Sequence, residues 1–141
     1  MATVIIAAMA VLLWSQGSVL LRQHYKNQVR MAAGLLAADL RQLQQEALYR
    51  SVSGRVTLYA QANGEGYSFR ENNLVEGKVT FAKQGCNDVY FSSVVASVGF
   101  NANGSPSATG TYVLRHHKLA SFCCKVAVQP VTGRVAVDEE E

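Results

Sequence analysis

From Ala2 to Leu21 no residue is charged, and Val4, Ile5, Ile6, Val11, Leu12, Leu13, Val19, Leu20 and Leu21 supply strongly apolar side chains. Twenty helical residues span about 30 Å, the thickness of a bilayer's hydrocarbon core. At about −0.3 to −0.6 kcal/mol each, those side chains favour insertion by roughly 3 to 5 kcal/mol in all. The pattern predicts a membrane-spanning helix over residues 1–21. Ile5, Ile6, Leu12, Leu13 and Leu20 would face lipid or the core of an assembly. A cleaved secretory signal would carry a basic region ahead of the apolar stretch, and only Met1 precedes it here. Gly17, between Gln16 and Ser18, is the expected weak point, where glycine favours local unwinding.

The helix is predicted to continue beyond the span. Between Leu21 and Ser51 there is no proline and a single glycine, Gly34. Tyr25, Val29, Ala32, Leu36, Leu40, Leu43 and Ala47 recur at spacings of four, three, four, four, three and four, and Leu35 and Leu48 widen the stripe. Gln23, Asn27, Arg30, Arg41 and Gln45 mark the opposite, solvent side. Residues 22–52 thus read as an amphipathic half whose Leu36, Leu40 and Leu43 pack against a folded domain.

After Ser53-Gly54 the period changes from 3.6 to 2. Candidate strands run near Val56–Gln61, Gly66–Arg70, Lys78–Ala82, Val89–Ser93, Ser97–Phe100, Thr111–Arg115, Phe122–Val128 and Arg134–Val137. Asn63-Gly64 and Asn103-Gly104 are the clearest turns, because both residue types tolerate positive φ. Gln129-Pro130-Val131-Thr132-Gly133 closes a final hairpin. The expected fold is α+β: a long N-terminal helix on a small antiparallel β-domain of about six to eight short strands over residues 53–137. Residues 138–141, all acidic, read as a solvated end.

Length and charge add little that is independent. The 141 residues leave room for one globular domain. The formal charge is +3, from 13 basic and 10 acidic residues; without the four terminal acids it is 13 − 6 = +7. No acid precedes Asp39, while Arg22, Lys26 and Arg30 follow the apolar run directly, where anionic lipid headgroups would meet them.

Candidate chemistry is sparse. Adjacent Cys123 and Cys124 suit tetrahedral ligation poorly, and no paired-histidine or Cys-x-x-Cys spacing accompanies them, so no metal or other cofactor is expected. Arg115-His116-His117-Lys118 reads as an exposed turn without an orienting acid, so no enzymatic role is expected. In an oxidising compartment Cys86 would pair with Cys123 or Cys124. Strand alternation sets Phe122, Cys124, Val126 and Val128 on one apolar face and makes Cys123 the better partner. The alternative is three reduced, buried cysteines.

Several segments together resemble the type IV pilins and type II secretion pseudopilins, and within them the GspH/FimT group of minor pilins. They are Ala38-Asp39-Leu40-Arg41 with Gln45-Glu46-Ala47, Val56-Thr57-Leu58-Tyr59 and Gly66-Tyr67-Ser68-Phe69-Arg70. Val98 through Pro106, Gly110 through Leu114, Cys124 through Val128 and Thr132-Gly133-Arg134-Val135 follow in the same order. The basic leader and Phe-Thr-x-x-Glu start of family precursors are missing, and Met1 falls just after the position of that glutamate. An internal start or a fragment is the expectation.

The resemblance implies a structural subunit near the tip of a pilus or pseudopilus, anchored in the inner membrane with its β-domain outside the cytoplasm. The positive-inside rule, applied to the basic flank alone, would place that flank in the cytoplasm. Implied partners are other pilin or pseudopilin subunits, the inner-membrane assembly platform, membrane lipid and secreted cargo. Some FimT-type pilins grip DNA through a C-terminal Gly-Arg-x-Arg. Here the segment is Gly133-Arg134-Val135-Ala136, so Arg134 is a weak candidate beside an acidic tail and DNA binding is not expected. A single-pass, membrane-anchored extracytoplasmic binding module and a DNA-uptake minor pilin are the alternatives.

Overall fold

A computed structural model describes residues 2–50, 56–72 and 74–141. One helix, α1 (Ala2–Arg50), runs without a break, through Gly17 as well as Gly34. Its 49 residues give a rod of about 73 Å. Local unwinding at Gly17 is therefore not observed: no proline interrupts the helical hydrogen bonds, and glycine alone costs too little to break them. The boundary drawn between residues 52 and 53 lies outside the described residues.

The remainder is a β-domain of eight strands, which form two sheets rather than one. The first sheet has the order β3-β2-β1-β5, from β1 (Val56–Ala60), β2 (Gly66–Glu71), β3 (Leu74–Thr80) and β5 (Ser97–Val98). The second has the order β4-β6-β7-β8, from β4 (Val89–Ser93), β6 (Gly110–His116), β7 (Leu119–Val128) and β8 (Val135–Glu140). All pairings are antiparallel. Two turns carry the positive φ their residue types permit, at Asn63 (62°) and Gly104 (85°).

Four strands differ from the sequence reading by two or more residues at an end, one of them the seventh, which begins at Leu119 rather than Phe122. The third begins earlier, at Leu74, and ends at Thr80, because Phe81–Gln84 turns into a 3-10 helix that drops the Phe81 ring into the core. The fifth shrinks to Ser97–Val98, and Phe100 makes only an isolated bridge to Pro106. The eighth extends to Glu140, so Asp138, Glu139 and Glu140, three of the four acids expected in a solvated tail, are strand residues paired with Cys123–Lys125.

One core lies between α1 and the sheets. Val29, Ala32, Leu36, Leu40 and Ala47 of the helix stripe are buried, together with Ala33 and Ala37, and Leu43 is half-buried. They meet Leu58, Tyr112, Leu114, Cys124, Val126 and Val128 on the inner faces of the strands. Alanines at positions 32, 33, 37 and 47 let the strands approach closely, while the leucines fill the depth between them. Leu48, placed in the stripe by spacing, is exposed.

Leu40 is fully buried, so truncation leaves a cavity that a tightly packed interior closes only in part. Leu40→Ala should destabilise a fragment beginning at Arg22 by about 2–5 kcal/mol. Denaturant melts measure this, and a loss below about 1 kcal/mol would place Leu40 outside the core.

Candidate functional site

The first half of α1 has no partner within the chain. Its most apolar 18-residue window has a mean hydropathy of 2.1 and none of it is buried. The helix is long and apolar enough to cross a membrane. Ile5, Ile6, Leu12, Leu13 and Leu20, expected at a lipid or assembly surface, are all exposed, at 59–70% of their area. Exposure on this scale in water is costly, at roughly 25 cal/mol per Å² of apolar surface. The rod therefore needs an apolar surrounding, whether lipid or other helices.

Immediately beyond the apolar run, the chain's own C-terminus grips the helix. Arg22, Lys26 and Arg30 lie four residues apart on one helix face, about 6 Å between successive positions. Alternate residues of a strand are about 7 Å apart and point the same way. That near-match lets β8 run antiparallel along α1, with Arg41 Nη2 donating to the Val135 carbonyl at 3.1 Å. Farther along, Arg30 meets Glu139 through both carboxylate oxygens, at 2.7 and 3.2 Å. Glu141 takes Lys26 at 2.7 Å and Arg22 at 2.9 Å. Lys26 and Arg30 also sit over the Phe122 ring of β7, each 5.4 Å from its centroid. Arg41, assigned to solvent by its spacing, is exposed and also donates from its side chain to a backbone carbonyl in this seam.

The clamp shifts the acid–base balance of its members. Hydrogen bonding to Glu139 holds the Arg30 guanidinium above its ordinary range. Lys26 holds the Glu141 carboxyl below the usual carboxylate range, and Lys125 does the same to Glu140 on the outer face of β8. A carboxylate with a lowered folded pKa stabilises the fold above its unfolded value and ceases to do so as pH falls through the lowered one.

Deeper in the same seam is a polar triad that the sequence did not disclose. His116 is not in an exposed turn: it is buried, and only His117 and Lys118 form the tip of the β6–β7 hairpin. Its Nε2–H donates to Gln28 Oε1 at 2.8 Å, while its Nδ1 accepts the Lys118 backbone N–H at 3.0 Å. That pair of partners selects the neutral tautomer protonated on Nε2. Tyr25 lies against the imidazole at a centroid distance of 4.5 Å. Burial pushes the His116 pKa down, only partly offset by the charge of Asp88.

The expected disulfide is not formed. Cys86, Cys123 and Cys124 are all free and buried. Cys86 lies just ahead of β4, and β6 stands between β4 and β7, which carries the other two. Two strand spacings amount to about 10 Å, more than the roughly 7 Å that a disulfide's Cα atoms can span. Burial raises the Cys86 thiol, and burial with the nearby Glu139 pushes Cys124 up to about 11. Cys86 and Cys124 are thus inert core thiols.

Arg134 is exposed in the β7–β8 loop. The acidic residues expected to oppose it lie elsewhere. Asp138, the nearest of them, is four residues along the strand, about 14 Å, and Glu139, one farther, is neutralised by Arg30. Its neighbour Gly133 has a packing role. At φ 66° it brings the loop so close to the helix that an added Cβ would stand 2.2 Å from the Gly104 carbonyl oxygen. Gln44 Nε2 donates there to Gly104 and Thr132 carbonyls at 3.0 and 2.9 Å. The Asn103-Gly104 and Thr132-Gly133 turns are thus tied to the last turns of α1.

Among the described residues no cluster of three metal-binding side chains is present. No family model matches the chain, and neither a curated protein nor a solved structure matches it.

Two outcomes follow from the seam. Glu139→Gln should cost about 0.5–1 kcal/mol at low ionic strength and much less at about 1 M salt, as measured by denaturant melts. His116, with its folded pKa below its unfolded value near 6.5, stabilises the protein fully above about pH 6.5. As pH falls below that value the unfolded chain takes up the proton first, so the melting temperature should drop. His116→Gln should flatten that part of the profile; an unchanged slope would mean that another group titrates there.

Proposed function

We propose that the chain is a structural subunit of a type IV pilus or type II secretion pseudopilus, a minor pilin or pseudopilin of the GspH/FimT kind. The observation that carries this reading is the single uninterrupted helix. Its first half is bare and apolar, and its second half is sheathed by the β-domain.

A tethered binding module needs only an anchor and a flexible connector. Here α1 passes without a break from the apolar run into the buried core, and its ion pairs with the C-terminal acids begin at Arg22, one residue after that run ends. The domain is therefore fixed in rotation and height relative to the span. Such rigidity serves helices that pack side by side, because any slack between rod and domain would blur the register between copies. In this reading the apolar half enters a filament core, and the domain faces neighbouring subunits outside the cytoplasmic membrane. DNA is not assigned as a partner, since Arg134 stands without the second arginine that a phosphate grip would use.

The test combines topology with proximity. A reporter active only in the cytoplasm, fused after Glu141, should be silent. Single cysteines placed at Ile6 or Leu13 should form oxidative crosslinks to other single-helix subunits in cells producing the chain with its natural neighbours. A strong cytoplasmic signal would overturn the orientation. A silent reporter with no crosslinks would leave a membrane-anchored binding module in place of the filament subunit.

A further inference from the structure

The outward face of the first sheet carries chemistry that neither the core nor the membrane helix uses. Strand alternation turns Leu58, Ala60 and Tyr67 inward and Tyr59, Ser68, Arg70 and Lys78 outward. Tyr59 pairs directly with Ser68, and Ser68 with Lys78, so the three form one row across the sheet. Arg70 lies two residues along β2, about 7 Å from Ser68. Around this row is a hollow of about 310 Å³, with Gln61 and Thr80 at its margin. That is the low end of the range for small-ligand sites.

We propose that this hollow binds a small acidic sugar, with its carboxylate or phosphate held between Arg70 and Lys78. Every aspartate and glutamate of the chain lies within the described residues, and neither cation forms an ion pair with any of them. Glu65, the acid at the rim, faces His117 at 3.6 Å. Two cations with no partner on a sheet face attract an anion and gain from its arrival.

Arg70 is also pre-positioned. Its guanidinium lies flat over the Tyr59 ring, 3.7 Å from the centroid, which fixes the plane of its donors. Its Nε is buried with no acceptor and lies out of a ligand's reach, so the donors left to an oxyanion are those on the two Nη atoms at the end of the side chain.

The remaining lining selects the scaffold that carries the charge. Ser68, Thr80, the Tyr59 hydroxyl and the Gln61 amide are neutral donors and acceptors, suited to the hydroxyls of a sugar ring. Gln61 Nε2 already donates to Tyr59 Oη at 3.0 Å, which holds that edge of the hollow in place. A nucleic acid base finds no free stacking surface, because the Tyr59 ring is occupied by Arg70. This inference is independent of the filament reading, since the face lies on the far side of the sheet from α1.

The experiment uses the full chain, labelled with ¹⁵N and held in neutral detergent micelles. Glucuronate, glucose 6-phosphate, glucose and inorganic phosphate are titrated separately while the Ser68 and Lys78 amide signals are followed. One or both of the sugar acids should give saturable shifts, and their identity distinguishes carboxylate from phosphate. Glucose and inorganic phosphate should bind at least about tenfold more weakly, since each lacks half of the recognition. Lys78→Gln, a change at an exposed side chain, and Arg70→Gln should each weaken binding about tenfold or more. Arg134→Gln should leave it unchanged. No saturable shift, glucose or phosphate matching the sugar acids, or full binding by Lys78→Gln would each overturn the proposal.

Discussion

The structure depends on one geometric coincidence: four residues of helix and two residues of strand advance by nearly the same distance. This lets β8 lie antiparallel along α1 and meet it repeatedly, through Arg41 at one end and Arg22 at the other. Each exposed ion pair is worth little alone. Their value here is positional. Together with Phe122 beneath Lys26 and Arg30, they carry the contact of the second sheet up the helix beyond the buried stripe, which sets the face it covers. The buried leucines supply the free energy of that contact, and the charges supply its register.

The same seam separates two environments along one helix. At Gln28 the rod is still polar enough to need a specific partner, and His116 provides it from β6. Val29 and Ala32, one and four residues farther along, are fully buried in the apolar core. A buried imidazole with both nitrogens satisfied tolerates little displacement, because sliding the helix would strand its donor and its acceptor at once. The triad thus reinforces, from inside the domain, the register that Glu139 and Glu141 set at the surface.

How much of this was legible depended on whether the signal was local. The mixed three-and-four spacing from Val29 to Ala47 disclosed the buried face of α1, since helical periodicity is written in adjacent residues. Period-two alternation likewise disclosed most strands, including Val89–Ser93 with both ends correct. The division into two sheets was not legible, because strand order is a matter of long-range pairing. The terminal acids were read only in part for a related reason. A run of four carboxylates reads only as a solvated end, and exposed they are, yet alternate members are set against bases four apart, Arg22, Lys26 and Arg30, more than a hundred residues earlier. That complementarity was present in the sequence as a spacing match. The burial of His116 left a weaker trace: alternation along β6 sets it on the face of Tyr112 and Leu114, but its neighbours Arg115, His117 and Lys118 are all polar.

The thiols and Arg134 show why placement outweighs residue type. Three cysteines in a small domain invite a bridge, yet β6 lies between Cys86 and the other two, and their role becomes that of compact apolar filler. An arginine beside a glycine invites a phosphate grip, yet Gly133 is held by contact with Gly104 and Gln44. The glycine is required by the packing of the loop on the helix, whatever the arginine does. The polar outer face of the first sheet is the converse case. Nothing in the packing requires a cation stacked on Tyr59 with an unsatisfied nitrogen, and a residue whose present arrangement the fold does not need is where binding chemistry has room to act.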